Sequence, residues 1–411
     1  MKSTKKIAVI GAGAAGMMAA GVALAEGAQV TLFEHSDRPM KKLRITGKGR
    51  CNLTNDCSVA DFLGNVLSNP RFLYTALSLF TPDDTKALFE ALGVPLKTER
   101  GNRVFPVSDK AADVAEALLR FAKGAVFCHE RVRKILVEDG KVAGILADKE
   151  YAFDAVILAT GGASYPQTGS DGSGHRLATA LGHTVTPLRP SLVPLSSPSP
   201  DCAAMQGLSL KNVGFRLVSK ENGKTLYEDF GEMMFTHFGL TGPMVLSSTA
   251  HLPSPNFSKI EAVIDMKPAL DEKTLDRRLL SDFEKYCNRN FSHALSDLLP
   301  AKMIPVVIKR TGIPPEKKVN LITKEERRTV LQVIKGFRIP LSGFRPIAEA
   351  IVTAGGISVK EINPKNMMSR LVENLFFAGE VMDVDAYTGG FNLQIAFSTG
   401  HLAGSVAAQN G

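Results

Sequence analysis

The chain of 411 residues has no Trp and only 6 Tyr beside 22 Phe. A surface of stacked rings, the usual platform for single-stranded nucleic acid, is therefore poorly supplied. No run reaches the roughly 18 consecutive apolar residues that a membrane-spanning helix needs, so no membrane role is expected. Cysteines number 5, an odd count spread from Cys51 to Cys287. A disulfide framework is a poor fit to that pattern, and a reducing cytoplasm is the better match. Internal repeats and low-complexity tracts are absent. Charge of one sign is only mildly in excess: 49 Lys plus Arg against 41 Asp plus Glu leaves +8. That balance suits anionic partners in general without choosing among them. Apolar residues make up 44% and charged residues 22%, enough for a large core in two or three domains and too apolar for disorder.

Lys2, Lys5 and Lys6 ahead of the apolar stretch Ile7 to Ala25 imitate a secretory signal. The glycines inside that stretch have a better explanation. Ile7-Ala8-Val9-Ile10 reads as a buried strand, Gly11-Ala12-Gly13-Ala14-Ala15-Gly16 as a turn, and the Ala-rich segment to Glu26 as a helix stopped at Gly27. A second strand, Gln29 to Phe33, ends in Glu34. This is G-x-G-x-x-G in its strand–turn–helix setting with an acid about twenty residues on. Gly11 makes the tight turn, Gly13 lets a pyrophosphate approach the backbone, and Gly16 lets helix and strand close up. The helix start offers N–H groups to the phosphates, and Glu34 accepts from the adenosine ribose. A glycine-tolerant turn without ligand is the bland alternative. The motif does not separate FAD from NAD.

Further along, Arg133–Leu136 and Val142–Leu146 flank Asp139-Gly140, a pair suited to a type I′ hairpin. Phe153 to Ala159 reads as a buried strand ending in Thr160-Gly161-Gly162. Leu375-Phe376-Phe377 is another, ending in Ala378-Gly379-Glu380, with Asp383, Gly389, Gly390, Asn392 and Gln394 ahead of an apolar helix that starts near Phe391. A strand, an acid, a glycine pair and a helix start suit the far end of a long dinucleotide. Glu380 or Asp383 would take ribityl hydroxyls, and the helix start would face the flavin edge where negative charge gathers.

Three further stretches join these: Lys41 to Asn55 with its Gly-Arg-Cys-Asn, Phe235 to Pro243, and Gly389-Gly390-Phe391-Asn392-Leu393-Gln394. Together they resemble a bacterial three-domain flavoprotein family, known as NAD(P)/FAD-dependent or aminoacetone-oxidase-like oxidoreductases. More remotely they resemble fumarate reductase and aspartate oxidase flavoproteins. The likeness spans Ile7 to Ala403. It implies an α/β fold in which a Rossmann-type FAD-binding domain is interrupted by a β-rich insert and a small helical insert. It also implies FAD contacts from the first glycine loop with Ala14 and Ala15, and from Glu34 and His35. Others would come from Lys42, Arg44, Thr46, Gly47, Arg50, Cys51 and Asn52, then Val132, Thr160 and Gly161. Gly379, Glu380, Asp383, Asn392, Leu393, Gln394 and Ile395 complete the set. NADH or NADPH would serve as a transient donor.

Domain limits follow from proline density and periodicity. Pro187, Pro190, Pro194, Pro198 and Pro200 mark one crossing, and Gly336 to Pro346 the return. The FAD domain is then 1–190 with 341–411, the β-rich insert 191–270 with 325–340, and the helical insert 271–324. Leu208–Val218 and Ile260–Met266 alternate as strands, Asn222-Gly223 is a turn, and 271–287 and Glu325 to Ile334 have helical spacing.

Five cations crowd into Lys41 to Arg50. A solvated basic loop is one reading; some of them neutralising cofactor phosphates is the favoured one. Cys51 and Cys57 lack the spacing, the second nicotinamide motif and the C-terminal His-Glu of a disulfide reductase, and no zinc-type spacing occurs, so no metal is expected. His237, between Phe235 and Phe238, is the candidate catalytic residue as a proton donor, against an ordinary structural histidine. Ser173 is expected to cap the helix after Gly169–Gly174. The expected function is an FAD-dependent oxidoreductase that moves hydride between a nicotinamide or small organic donor and an organic acceptor or oxygen. Its substrate would be a small molecule, with nucleic acid disfavoured and the oligomeric state left open. A flavoprotein acting on RNA and a flavin-binding regulator without turnover are the alternatives.

Overall fold

Ile7 to Ile10 carries apolar side chains on both faces, and only a strand covered on both sides can bury them all. They form the centre of a parallel sheet. The computed structural model describes residues 4–252 and 255–409. Its chain divides into two units, one reaching Ser191 and resuming at Pro346, the other Leu192–Arg345.

In the first unit β1 (Lys6–Ile10) leads into α1 (Ala14–Ala25), β2 (Gln29–Phe33), β3 (Val126–Cys128), β4 (Ala155–Leu158), α2 (Ser173–Ala180), β5 (Leu375–Phe377) and α3 (Phe391–Gln409). The sheet order is β5-β4-β1-β2-β3, and every pairing is parallel. The tight turn after β1 depends on Gly11, whose φ is 100° and whose added Cβ would sit 2.6 Å from the Ala159 carbonyl oxygen. Gly16 allows the close approach of helix to strand, since a Cβ there would lie 1.9 Å from the Gly11 carbonyl oxygen. The Asp139-Gly140 hairpin joins Lys134–Glu138 to Lys141–Leu146, with φ of 47° and 78° as a type I′ turn requires.

A helix buried on nearly all sides must be apolar all round, and α1 is: Met17, Met18, Ala19, Ala20 and Ala23 are fully covered. Its partner is α3. A Cβ on Gly400 would lie 2.4 Å from the Ala15 carbonyl oxygen, and one on Gly404 2.4 Å from that of Ala19, so the two backbones touch. Residues 400 and 404 meeting 15 and 19 in that order also makes the helices run the same way.

The second unit has a seven-stranded antiparallel sheet built mainly on Ser209–Ser219, Thr225–Thr236 and Ile260–Asp265. The helices Glu272–Lys285, Ile304–Thr311 and Lys324–Lys335 share one apolar core with it through Leu275, Leu279, Val307, Val330, Phe215 and Ile264. The helical stretch 271–324 thus belongs to the same core as the sheet. Gly336 to Pro346, expected as a return crossing, supplies two more strands of it, Phe337–Pro340 and Gly343–Phe344. Proline at 340 is tolerated because Phe337–Pro340 is the sheet's edge strand.

Replacing Gly404 with Val should destabilise the chain by about 1–3 kcal/mol or more in urea unfolding, because the branched side chain forces α3 off α1. An unchanged midpoint would show that this backbone contact does not hold the unit together.

Candidate functional site

The two ends of the chain meet. Gly379 lies against Ala15, with an added Cβ 2.9 Å from the Ala15 side chain. The helix starts are offset along their shared direction. α3 begins nine residues before Gly400, the residue level with Ala15, and α1 begins one residue before Ala15, which places the first turn of α3 roughly 12 Å beyond that of α1 at 1.5 Å per residue. Gly13 is the N-cap of α1; no side chain caps that end, and a Cβ on Gly13 would meet nothing within 4 Å. The start of α1, including the Ala14 and Ala15 N–H groups, therefore stands open beside the Gly13 turn. In α3 the first intrahelical bond runs from the Gln394 N–H to the Gly390 carbonyl at 3.1 Å, so the N–H groups of Phe391, Asn392 and Leu393 precede it. Two positive helix ends on one sheet are what an elongated anionic cofactor needs.

The acids are placed but largely occupied. Glu34 accepts from the Ala12 N–H at 3.0 Å and from the Ser36 N–H and hydroxyl at 2.8 Å each, while His35 Nδ1 stands 3.7 Å from its Oε1. Glu380 accepts from Lys42 Nζ at 2.7 Å, the Thr353 N–H at 2.8 Å and the Ser164 hydroxyl at 3.2 Å. Each carboxylate keeps about one further acceptor position. The Asp383 carbonyl accepts from Asn69 Nδ2 at 2.8 Å.

Four of the five cations expected to neutralise phosphates, Lys41, Lys42, Arg44 and Arg50, are paired with carboxylates of the protein. Arg50 is clamped by Asp109 and Glu99 and lies over the Phe105 ring at 4.2 Å. Arg44 pairs with Glu116 at 2.7 Å, and Lys41 with Asp37. Two carboxylates leave Arg50 no net charge to offer. The loop itself is held left-handed at Gly47, Lys48, Gly49 and Cys51, with Thr46 donating to the Leu43 carbonyl at 2.6 Å. Cys51 is fully buried, which pushes its thiol up to about 12 and makes it inert as a thiolate.

Asn392 and Gln394 are likewise internal staples. Asn392 bonds the Ala386 N–H and the Ala386 and Tyr387 carbonyls, fixing the loop before α3. Gln394 is fully buried and bonds Thr54, Ser398 and the Phe80 carbonyl. Ile395 and Val132 are core side chains. Ser173 does not cap α2. Asp171 does so, accepting from the Ser173 N–H at 2.9 Å and from Arg131 at 2.7 Å. Burial opposes its charge, but these bonds prevail and hold its carboxyl at about 2.

Two buried oxygens in this region have no partner, Asn52 Oδ1 and Thr160 Oγ1. Thr160 and Gly161 follow β4, beside the first glycine turn. Buried polar atoms without partners in an otherwise satisfied interior mark a place for a hydrogen-bonding ligand. With the open Gly13 and the two helix starts, the residues fit FAD. Residues that sequence reasoning missed surround them: Ser164 and Thr353, which tie Glu380 in place; His175; and Asp385, buried and bonded to the Ser68 and Ser191 hydroxyls. Spacing carries no signal for these, since their partners lie tens to hundreds of positions away.

His237 lies in the second unit, exposed in the turn after Thr225–Thr236, its ring edge-on to Phe238 with centroids 5.0 Å apart. Among the described residues no His, Cys, Asp and Glu group could hold a metal ion, and no helix is long and apolar enough to cross a membrane.

This fold and site define a Rossmann-type, FAD-binding oxidoreductase. The chain is 31% identical to a 3-dehydro-bile acid delta(4,6)-reductase of Clostridium scindens, over 98% of its own length and 99% of that protein. It is 28% identical to a ribosomal RNA dihydrouridine synthase of Escherichia coli, over 95% of each. Among solved structures it is similar in fold to a 3-ketosteroid-delta4-(5alpha)-dehydrogenase of Rhodococcus jostii, with TM-score 0.55, 17% identity, and 99% and 97% of the two chains covered. An open-form flavocytochrome c3 fumarate reductase gives TM-score 0.53 at 18% identity, covering 99% and 78%. The chain belongs to the HI0933-like protein Rossmann domain family, which matches residues 5–406.

Burial raises the pKa of Asp385 against the opposing hydroxyl bonds of Ser68 and Ser191. A carboxyl with a raised folded pKa contributes stability that is full below its unfolded value near 3.8 and is lost as pH climbs through the folded value. Asp385→Asn should therefore be more stable than the parent at pH 7, with the gap closing toward pH 4 in thermal unfolding. A pH-independent difference would contradict this.

Proposed function

We propose that the chain is a flavin-dependent reductase that saturates a carbon–carbon double bond conjugated to a carbonyl in a small organic acceptor, using electrons from NADH or NADPH. One observation carries this reading. Relatives matched along nearly the whole chain bear names for unlike substrates, a bile acid and a ribosomal uridine, yet both names describe saturation of an alkene conjugated to a ring carbonyl.

In this reading the Gly13 turn and the start of α1 hold the pyrophosphate. Glu34 and His35 take the adenosine ribose, and Glu380 with Asp383 the ribityl chain. The start of α3, the Asn52 carboxamide and the Thr160–Gly161 turn receive the remaining polar groups. FAD, when bound, supplies hydride to one alkene carbon. The positive end of α3 offsets the negative charge that a reduced flavin carries. A proton delivered to the other carbon completes the reaction, so that hydride and proton together saturate the bond and the nicotinamide is oxidised. We place the enzyme in the cytoplasm, where its donor would be available.

A second reading, reduction of uridine in RNA, has its own support. Residues 192–345 hold 22 Lys plus Arg against 16 Asp plus Glu, +6 of the chain's +8, and two relatives at 28% and 29% identity are named ribosomal RNA dihydrouridine synthases.

The test is anaerobic reduction of the FAD-loaded protein by NADH and NADPH, followed by a 3-keto-Δ4 steroid or a uridine-containing ribosomal RNA fragment. Bleaching by a nicotinamide and reoxidation by the steroid, with loss of its conjugated absorbance, is expected. Reoxidation by the RNA alone, weakening steeply with salt, would select the second reading. Flavin that neither acceptor reoxidises would reject both readings and leave a flavin-binding regulator.

A further inference from the structure

The wall beside α2 is built more elaborately than a helix start requires. α2 is eight residues long and its N-cap is Gly172, with φ 74°. His175, in its first turn, is only 5% exposed. Its Nε2 stands 3.2 Å from the Val381 carbonyl oxygen. A carbonyl can only accept, so Nε2 carries the ring proton, and in the neutral ring Nδ1 is a bare acceptor. Burial lowers the ring's pKa and favours that neutral form over the opposing pull of Val381 and Glu380. Nδ1 has no hydrogen-bond partner, and it faces the Gly172 turn, 3.8 Å from where a Cβ on Gly172 would be.

The second unpartnered atom lies on the same helix start. Thr160 Oγ1 lies 1.9 Å from where a Cβ on Gly174 would be, so glycine at 174 is what lets that hydroxyl sit on the first turn of α2. Two orphaned polar atoms thus border one helix start, at the ends of β4 and β5. An orphaned acceptor in such a place needs a donor, and an anion would be repelled by the Nδ1 lone pair. A hydroxyl group fits. Sugar hydroxyls of the cofactor are short of acceptors here, because Glu34 and Glu380 each already take three protein donors.

We infer that His175 Nδ1, with the Thr160 hydroxyl on the same helix start, binds a sugar hydroxyl of FAD, on its ribityl chain or its adenosine ribose. This rests on the FAD reading of the site. His175 is then a cofactor-binding residue that acts through its neutral ring.

The test is FAD titration of the full-length apoprotein, followed by quenching of flavin fluorescence, in the parent, His175→Gln, His175→Asn and Thr160→Val. Gln places a donor near Nε2 and removes the Nδ1 acceptor, whereas Asn keeps an acceptor at the Nδ1 position. About a tenfold weaker affinity is expected in His175→Gln, with partial recovery in His175→Asn and a smaller loss in Thr160→Val. Competition with FMN and with ADP identifies the sugar. A loss that FMN shares and ADP does not assigns the ribityl chain, and the converse assigns the ribose. Parent-like FAD affinity in a His175→Gln variant whose circular dichroism and unfolding midpoint match the parent would overturn the inference. A parent protein that takes up no FAD would instead overturn the FAD reading itself.

Discussion

Backbone contact between the first helix and the last organises the first unit. Gly400 and Gly404 bring α3 onto Ala15 and Ala19 with no side chain between. That contact is possible only where one helix offers alanines and the other glycines, and the polar side chains that α3 buries, Gln394, Ser398 and Thr399, are hydrogen-bonded within the protein. The cost is real, since glycine inside a helix is disfavoured by about 1 kcal/mol. What the contact secures is position. With α1 tied to β1 and α3 tied to α1, the two positive helix starts sit at set heights above one parallel sheet, and an extended cofactor has a place at each end.

A second constraint is the satisfaction of buried polar groups. Glu34, Glu380, Asn392 and Gln394 are the residues a motif reader assigns to the ligand, and the structure engages each of them with protein donors or acceptors. They hold the walls: Glu380 gathers Lys42, Ser164 and Thr353 from three separate segments, and Asn392 fixes the loop that α3 grows out of. Ligand recognition falls more heavily on backbone N–H groups and on the few side-chain atoms left without partners. The same accounting explains the basic loop, whose arginines complete ion pairs within the small sheet and helices around Glu99, Asp109 and Glu116.

Much of this was legible in one dimension where the determining interaction is local. The first strand, turn and helix, the Asp139-Gly140 hairpin, the strand before Gly379 and the helix from Phe391 all follow from spacing of a few residues, because periodicity and left-handed turns are properties of short segments. Other parts were not. The strands of Thr54–Asn55, Leu96–Glu99 and Arg103–Pro106 are two to four residues long and too short to show alternation. Gly336 to Pro346 looks like a linker by composition and becomes strand because its partners, Ile260–Asp265 and Leu195–Ser196, lie far away in sequence. The capping of α2 went to Asp171 in place of Ser173 because a carboxylate two residues ahead, anchored by Arg131, reaches the same N–H.

By itself the sequence determined the class of fold and the kind of ligand. Glycine at 11 and 16 has steric reasons that hold wherever a strand, a tight turn and a helix follow one another, and an acid closing the second strand adds a chemical one. Which side chains remain free to meet that ligand was decided only by the tertiary structure. A hydrogen-bond donor can be used up by a partner 338 positions away, as Lys42 is by Glu380, and a histidine with no motif around it can be left with a bare nitrogen inside the wall. Availability of a polar group is a property of everything packed around it, and no window along the chain contains that information.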